Sequence, residues 1–238
     1  MPEKVIGVLG GMGPEATANF YKELVAHTLA RKDQEHLRVL IDSNPKIPDR
    51  TLAIFQRGES PLSALVMSVA ALERAGADFI VMPCVSAHFF VEELERNINL
   101  PILSIVRAVT DYITIHHPGI KKIGLMATNG TIQGGFFQEQ LRQGGLETLT
   151  PGDDDQRLVM SAIYDVKDIQ CHRTREEIAE DICAVALRLV AQGAQGVIAA
   201  CTELPLVLDA GKLPVPAFNS LLLLARAAIE AAGGRFLP

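Results

Sequence analysis

The chain has 238 residues, of which 48% are hydrophobic and 21% charged, and its formal net charge is -6. That balance predicts a globular protein with a substantial core and excludes wholesale disorder. The acidic excess leaves no basic face for a phosphate backbone, and no Lys/Arg run is interleaved with aromatics, so nucleic acid is not an expected partner.

No segment reaches the ~20 apolar residues of a bilayer span. The opening "MPEKVIGVLGG" has too short an apolar run for a secretory leader, so no membrane is expected and the expected location is the cytoplasm. Cysteines stand at 84, 171, 183 and 201 with no C-x-x-C pair and no Cys/His ligand spacing. Reduced thiols are therefore expected, with no disulfide framework and no metal.

In chain order, "KVIGVL" reads as a strand, "EATANFYKELVAHTLA" as a helix, "LRVLID" as a strand and "PLSALVMSVAALERAG" as a helix. "ADFIVM" is the next strand, "SAHFFVEELERN" a helix and "PILSI" a strand. Pro118 and Gly119 in "HHPGIKK" break the chain. Beyond them come the strand "KIGLMA", one helix over "TIQGGFFQEQLRQGG", a solvated turn at "TPGDDDQR", and a helix around 174–192 that buries Cys183. The three aspartates of that turn read as surface charge rather than metal ligands. The strands "AQGVIAA" and "VPAFN" and a terminal helix, "SLLLLARAAIEAAGG", complete the series. Short apolar strands alternating with helices predict parallel sheets covered on both faces, a doubly wound α/β architecture. In such sheets ligands sit at the carboxyl ends of the strands, where Cys84 and Cys201 fall.

A shift of 117 positions superimposes Leu72, Gly76, Ala77 and Cys84 on Leu189, Gly193, Ala194 and Cys201. The same shift carries Lys4, Ile6, Gly7, Gly13, Phe20 and Leu24 onto Lys121, Ile123, Gly124, Gly130, Phe137 and Leu141. One offset shared by distant segments predicts two pseudo-symmetric halves, 1–117 and 118–238, with the terminal helix free to cross to the first half. The active site is expected in the cleft between the halves.

Ser86 and Thr202, with Glu203 after it, suit helix starts just beyond the two cysteines. The positive end of a helix stabilises an anion, so thiols of lowered pKa are expected. Two such sulfurs on opposite sides of one carbon could act as acid and base and invert its configuration.

Through "GVLGGMGPEAT", "IPDRT", "MPCVSAH", "ATNGTI" and "CTELPL" the chain resembles the aspartate/glutamate racemases that work without pyridoxal phosphate. The resemblance runs nearly the whole length. It implies Cys84 and Cys201 as the paired acid and base, no cofactor, a small acidic amino acid as substrate, aspartate before glutamate, and a homodimer. It implies that Arg50 holds the distal carboxylate, as a planar guanidinium can, and that Lys167 contributes to the same anion pocket. Thr128 and Thr202 would hold the α-carboxylate, with Met12 lining the site; Val85, Ser86 and Glu203, beside the thiols, are also expected to contact substrate.

Two positions depart from the family pattern. Val85 and Ser86 follow the first cysteine where relatives usually have Asn-Thr, and Val85 cannot donate the amide hydrogen bond expected there; Asn219 stands where Asp is common. Other cysteine-dependent carbanion reactions of the superfamily, such as maleate isomerisation, hydantoin racemisation or arylmalonate decarboxylation, therefore stay open, as does a non-catalytic protein that binds acidic amino acids. A dinucleotide reading of "GGMGPEA" is weaker: Gly11, Gly13 and Ala16 fit G-x-G-x-x-G/A, but Pro14 removes an N–H and Asp42 lies beyond the expected acidic position.

Overall fold

The computed structural model describes residues 3–168 and 170–238. The chain divides into two compact units, one running to Ala108 and completed by Leu221–Pro238, the other spanning Val109–Ser220. The division falls inside a helix that begins at Ile105, upstream of the Pro118–Gly119 break, and the terminal helix belongs almost wholly to the first unit.

The first unit contains β1 (Ile6–Gly10), α1 (Pro14–His27), β2 (Val39–Ser43), α2 (Arg50–Ile54), α3 (Leu62–Ala75), β3 (Phe79–Val81), α4 (Val91–Glu95), β4 (Ile102–Leu103) and the start of α5 (Ile105–His116). Its strands are parallel in the order β2-β1-β3-β4, with Val8 paired to both Ile41 and Val81, and Val81 to Leu103. β1 and β3 are wholly buried. β2 is an edge strand with Ile41 41% exposed, so the expectation of strands covered on both faces holds for the centre and not for this edge. α1 opens on Pro14, whose missing N–H is unneeded at a first helical position.

The second unit contains the rest of α5, then β5 (Lys122–Met126), α6 (Asn129–Gly134), α7 (Phe136–Gln143), β6 (Glu147–Leu149), α8 (Asp153–Lys167), α9 (Arg175–Ala191), β7 (Val197–Ala199), β8 (Ala217–Asn219) and the first residue of α10 (Ser220–Ala231). Its parallel order is β6-β5-β7-β8, the same permutation as in the first unit. Two four-stranded parallel sheets flanked by helices match the doubly wound architecture read from the sequence.

Three local expectations are corrected. The single helix over 131–145 is two helices, because Gly135 takes a left-handed φ of 69° between them. The helix over 86–97 starts as a 3-10 turn, Ser86–Phe90, before α4. "TPGDDDQR" is not a turn throughout: Asp153, Asp154 and Asp155 form the first turn of α8, where carboxylates meet the positive end of the helix. Asp154 also pairs with Arg157, and Asp155 with Arg188 of α9. α9 itself starts on a capping box between Thr174 and Glu177. Among the described residues no helix is long and apolar enough to cross a membrane.

Candidate active site

In each sheet the chain goes first to one side and then to the other, so the switch points lie between β1 and β3 and between β5 and β7. Met12, Cys84, Thr128 and Cys201 follow the carboxyl ends of these strands, whereas Arg50 opens α2 beyond β2 and Lys167 ends α8.

In the first unit, the glycine turn after β1 is built around Gly11. Its φ is 90°, and a side chain there would stand 2.3 Å from the Asn44 carbonyl carbon. The Gly11 N–H donates to Thr17 Oγ1 at 2.8 Å, and the Thr17 hydroxyl donates to the Gly13 carbonyl at 3.0 Å. Backbone packing thus accounts for Gly11, Thr17 stands 2.4 Å from where a Gly10 side chain would lie, and the Gly11 amide is already engaged. Met12 is buried in one apolar cluster with Cys84.

Arg50 opens α2, whose N-cap Asp49 accepts from the Leu52 N–H at 2.8 Å. The guanidinium donates to the Ile47 and Pro48 carbonyls at 3.1 and 2.9 Å, and reaches the Met12 carbonyl at 3.5 Å. Its Nε is buried with no hydrogen-bond partner among the described residues. Arg50 therefore joins the loops after β1 and β2, with its Nε–H among the donors left unspent.

Cys84 is 5% exposed, and its sulfur lies 3.6 Å from Ser86 Oγ. Val85, also buried, caps the 3-10 turn. His88 was not singled out from the sequence. Its Nδ1 lies 2.9 Å from the Cys84 carbonyl and its Nε2 3.1 Å from the Ile105 N. Burial holds its pKa down to about 4 from an ordinary 6.5, so the ring is neutral at pH 7, with Nδ1–H donating and Nε2 accepting. The only sequence signal was its place four residues after the thiol.

In the second unit, Cys201 is 7% exposed and its thiol donates to Glu203 Oε2 at 3.0 Å. The Thr202 hydroxyl donates to the same oxygen at 3.2 Å, and Glu203 Oε1 pairs with Lys167 Nζ at 3.5 Å. The ammonium, 38% exposed, comes from the last residue of α8. Thr128 caps α6, accepting from the Thr131 N–H at 3.2 Å. The Ala200 N–H donates to the Met126 carbonyl at 2.8 Å, which ties the ends of β5 and β7.

The expected lowering of the thiol pKa is overturned at Cys201. Burial first, and then the Glu203 charge, push it well above its ordinary range, with Lys167 pulling the other way. The physical reason is local: the turn after Cys201 is a three-residue 3-10 segment, Leu204–Leu206, too short to offer the positive end of a helix. No group of three or more His, Cys, Asp or Glu able to hold a metal occurs among the described residues.

Residues 9–228 match the model of the Asp/Glu/hydantoin racemase family. The chain belongs to that family and is an amino-acid racemase, an isomerase. The aspartate racemase of Picrophilus torridus is 32% identical, with a TM-score of 0.86 over 98% of this chain and 96% of that one. An aspartate racemase homologue from Pyrococcus horikoshii is 28% identical, with a TM-score of 0.77 over 97% and 99%. The broad specificity amino-acid racemase RacX of Bacillus subtilis is 28% identical over 232 residues, 95% of this chain and 97% of its own.

Proposed function

We propose that the protein interconverts the enantiomers of an acidic amino acid, aspartate first and glutamate second, with Cys84 and Cys201 acting as acid and base on opposite faces of one Cα. What carries this reading is the recurrence, in two sheets of identical strand order, of a nearly buried thiol just beyond the third strand in chain order. No cofactor is required, because thiols can both remove and return the proton.

Cys201, held protonated, starts as the acid, and Cys84, once its own proton has passed to water, as the base. The Cys84 thiolate takes the Cα proton while the Cys201 S–H protonates the other face. The opposite direction starts from the state the first one leaves, Cys84 as thiol and Cys201 as thiolate: Cys201 takes the Cα proton and the Cys84 S–H protonates the other face. When the cycle starts instead with both sulfurs protonated, Glu203 Oε2, 3.0 Å from the Cys201 sulfur, accepts the Cys201 proton; S–H breaks and O–H forms. Lys167 offsets the Glu203 charge while it is ionised. The Thr128 hydroxyl suits the α-carboxylate, as does that of Thr202 once it turns from Glu203, and Arg50, through its unspent Nε, the distal one.

The test is incubation in heavy water with L-aspartate or L-glutamate and no added cofactor. Deuterium at Cα and the D enantiomer are expected; binding without exchange would establish a sensor instead. A second reading has its own support. Most of the Arg50 guanidinium is spent on backbone carbonyls, Lys167 is paired with Glu203, and the buried Val85 offers no side-chain hydrogen bond. These favour a substrate without a second carboxylate, which exchange of a neutral amino acid such as L-alanine in place of the acidic pair would establish.

A further inference from the structure

We propose that His88 is a positioning residue for Cys84: its imidazole ties the Cys84 carbonyl to the first residue of α5 and so fixes the direction of the thiol. The proposal rests on the reading of Cys84 as an acid/base group and adds the element that holds it in place.

Cys84 stands in the short link between β3 and a 3-10 turn, where no ladder or α-helix fixes its peptide. Its carbonyl points back at the ring four residues on, at 2.9 Å. The other ring nitrogen receives the N–H of Ile105, one of the donors that the first turn of an α-helix leaves without an intrahelical partner. Ser104 serves another of them, its Oγ accepting from the Arg107 N–H at 3.3 Å. The imidazole therefore satisfies two backbone groups on separate elements at once, which only a neutral ring with Nδ1–H and a free Nε2 lone pair can do. The depressed pKa agrees with that single protonation state. A buried apolar side chain would fill the same volume and leave both backbone groups unpaired. A reacting group displaced by ~1 Å can lose as much as about 100-fold in rate.

Two substitutions separate the two contacts. His88→Asn sets an amide N–H near the place of Nδ1 and keeps the donor to Cys84 while abandoning Ile105. His88→Gln reaches its amide oxygen towards the place of Nε2 and does the reverse. Steady-state kinetics are measured on both, together with substrate-free iodoacetamide labelling of Cys84 and Cys201 followed by peptide mass spectrometry.

The expected result is kcat within about 3-fold of wild type for His88→Asn, but lowered by about 30-fold for His88→Gln with KM within about 3-fold. Cys84 in His88→Gln should label at least about 3-fold faster as its turn loosens, and Cys201 at the wild-type rate. Equal losses in both variants, unfolding of both, or wild-type kcat in His88→Gln would overturn the proposal. If no amino acid is racemised by the wild type, the function reading fails on its own and the labelling still decides: an unchanged Cys84 rate in His88→Gln rejects the positioning role. Should His88→Gln alone fail to fold, retention of kcat and of the Cys84 labelling rate by His88→Asn supports it, and their loss rejects it.

Discussion

The two thiol turns occupy the same place in the same strand order, yet their surroundings differ. At Cys84 the sulfur faces a hydroxyl, Ser86, and the peptide is held by a neutral histidine. At Cys201 the sulfur donates to an ionisable carboxylate, Glu203, which is itself paired with Lys167. The frame recurs in both units, and the side chains one and two residues past each cysteine set the electrostatics independently. The cations show the same divergence. The offset that relates Cys84 to Cys201 also relates Arg50 to Lys167, but Arg50 opens a helix whereas Lys167 closes one.

Removal of either sulfur should have the largest effect. Cys84→Ala and Cys201→Ala should each lower racemisation by at least ~100-fold, the low end for a lost acid/base group. If either variant kept near wild-type turnover in a coupled D-amino-acid assay, that turn would have no part in the chemistry. A stability measurement probes the Cys84 side. His88 has a folded pKa of about 4 against 6.5 when exposed, so between those values the unfolded chain binds more protons. Its contribution is fully present above pH 6.5 and is lost as the pH falls towards 4, by about 3 kcal/mol from the linkage of 1.36 kcal/mol per unit. Urea midpoints at pH 7 and pH 4 should show that loss in the wild type and a shallower one in His88→Asn.

The fold was legible because alternation of short apolar strands with helices, repeated at one offset, leaves few arrangements open. What was not legible turned on single side chains. "ETL" is too short and mixed to register as a strand, yet it pairs with β5 as β6. The aspartates of "GDDDQR" look like a turn until the segment after them proves helical, whereupon they are the expected acids of a first turn. The thiol environment was read in the wrong direction at Cys201, because adjacency in sequence says that Glu203 is near but not that its carboxylate faces the sulfur. His88 escaped attention since its two partners are backbone groups, one of them seventeen residues away, and nothing in a side-chain pattern marks that.

Smaller effects are expected at Glu203, Lys167 and Ser86. Glu203→Gln removes the proton acceptor for Cys201 and should lower kcat by about 10-fold, the size of a lost charge-assisted hydrogen bond of ~1.5 kcal/mol. The same change takes away a negative charge that raises the thiol pKa, so the pH midpoint for alkylation of Cys201 should move down. Lys167→Met removes the opposing charge and should move that midpoint up. Ser86→Ala, at a sulfur–oxygen distance of 3.6 Å, breaks a weak contact and should cost no more than about 3-fold in kcat. It should leave the Cys201 midpoint where it was. Labelling followed from pH 6 to pH 10, peptide by peptide, reads all three variants. Shifts of one sign in both Glu203→Gln and Lys167→Met would mean that desolvation alone sets the Cys201 thiol, and the electrostatic difference between the two turns would have no bearing on which sulfur starts as the acid.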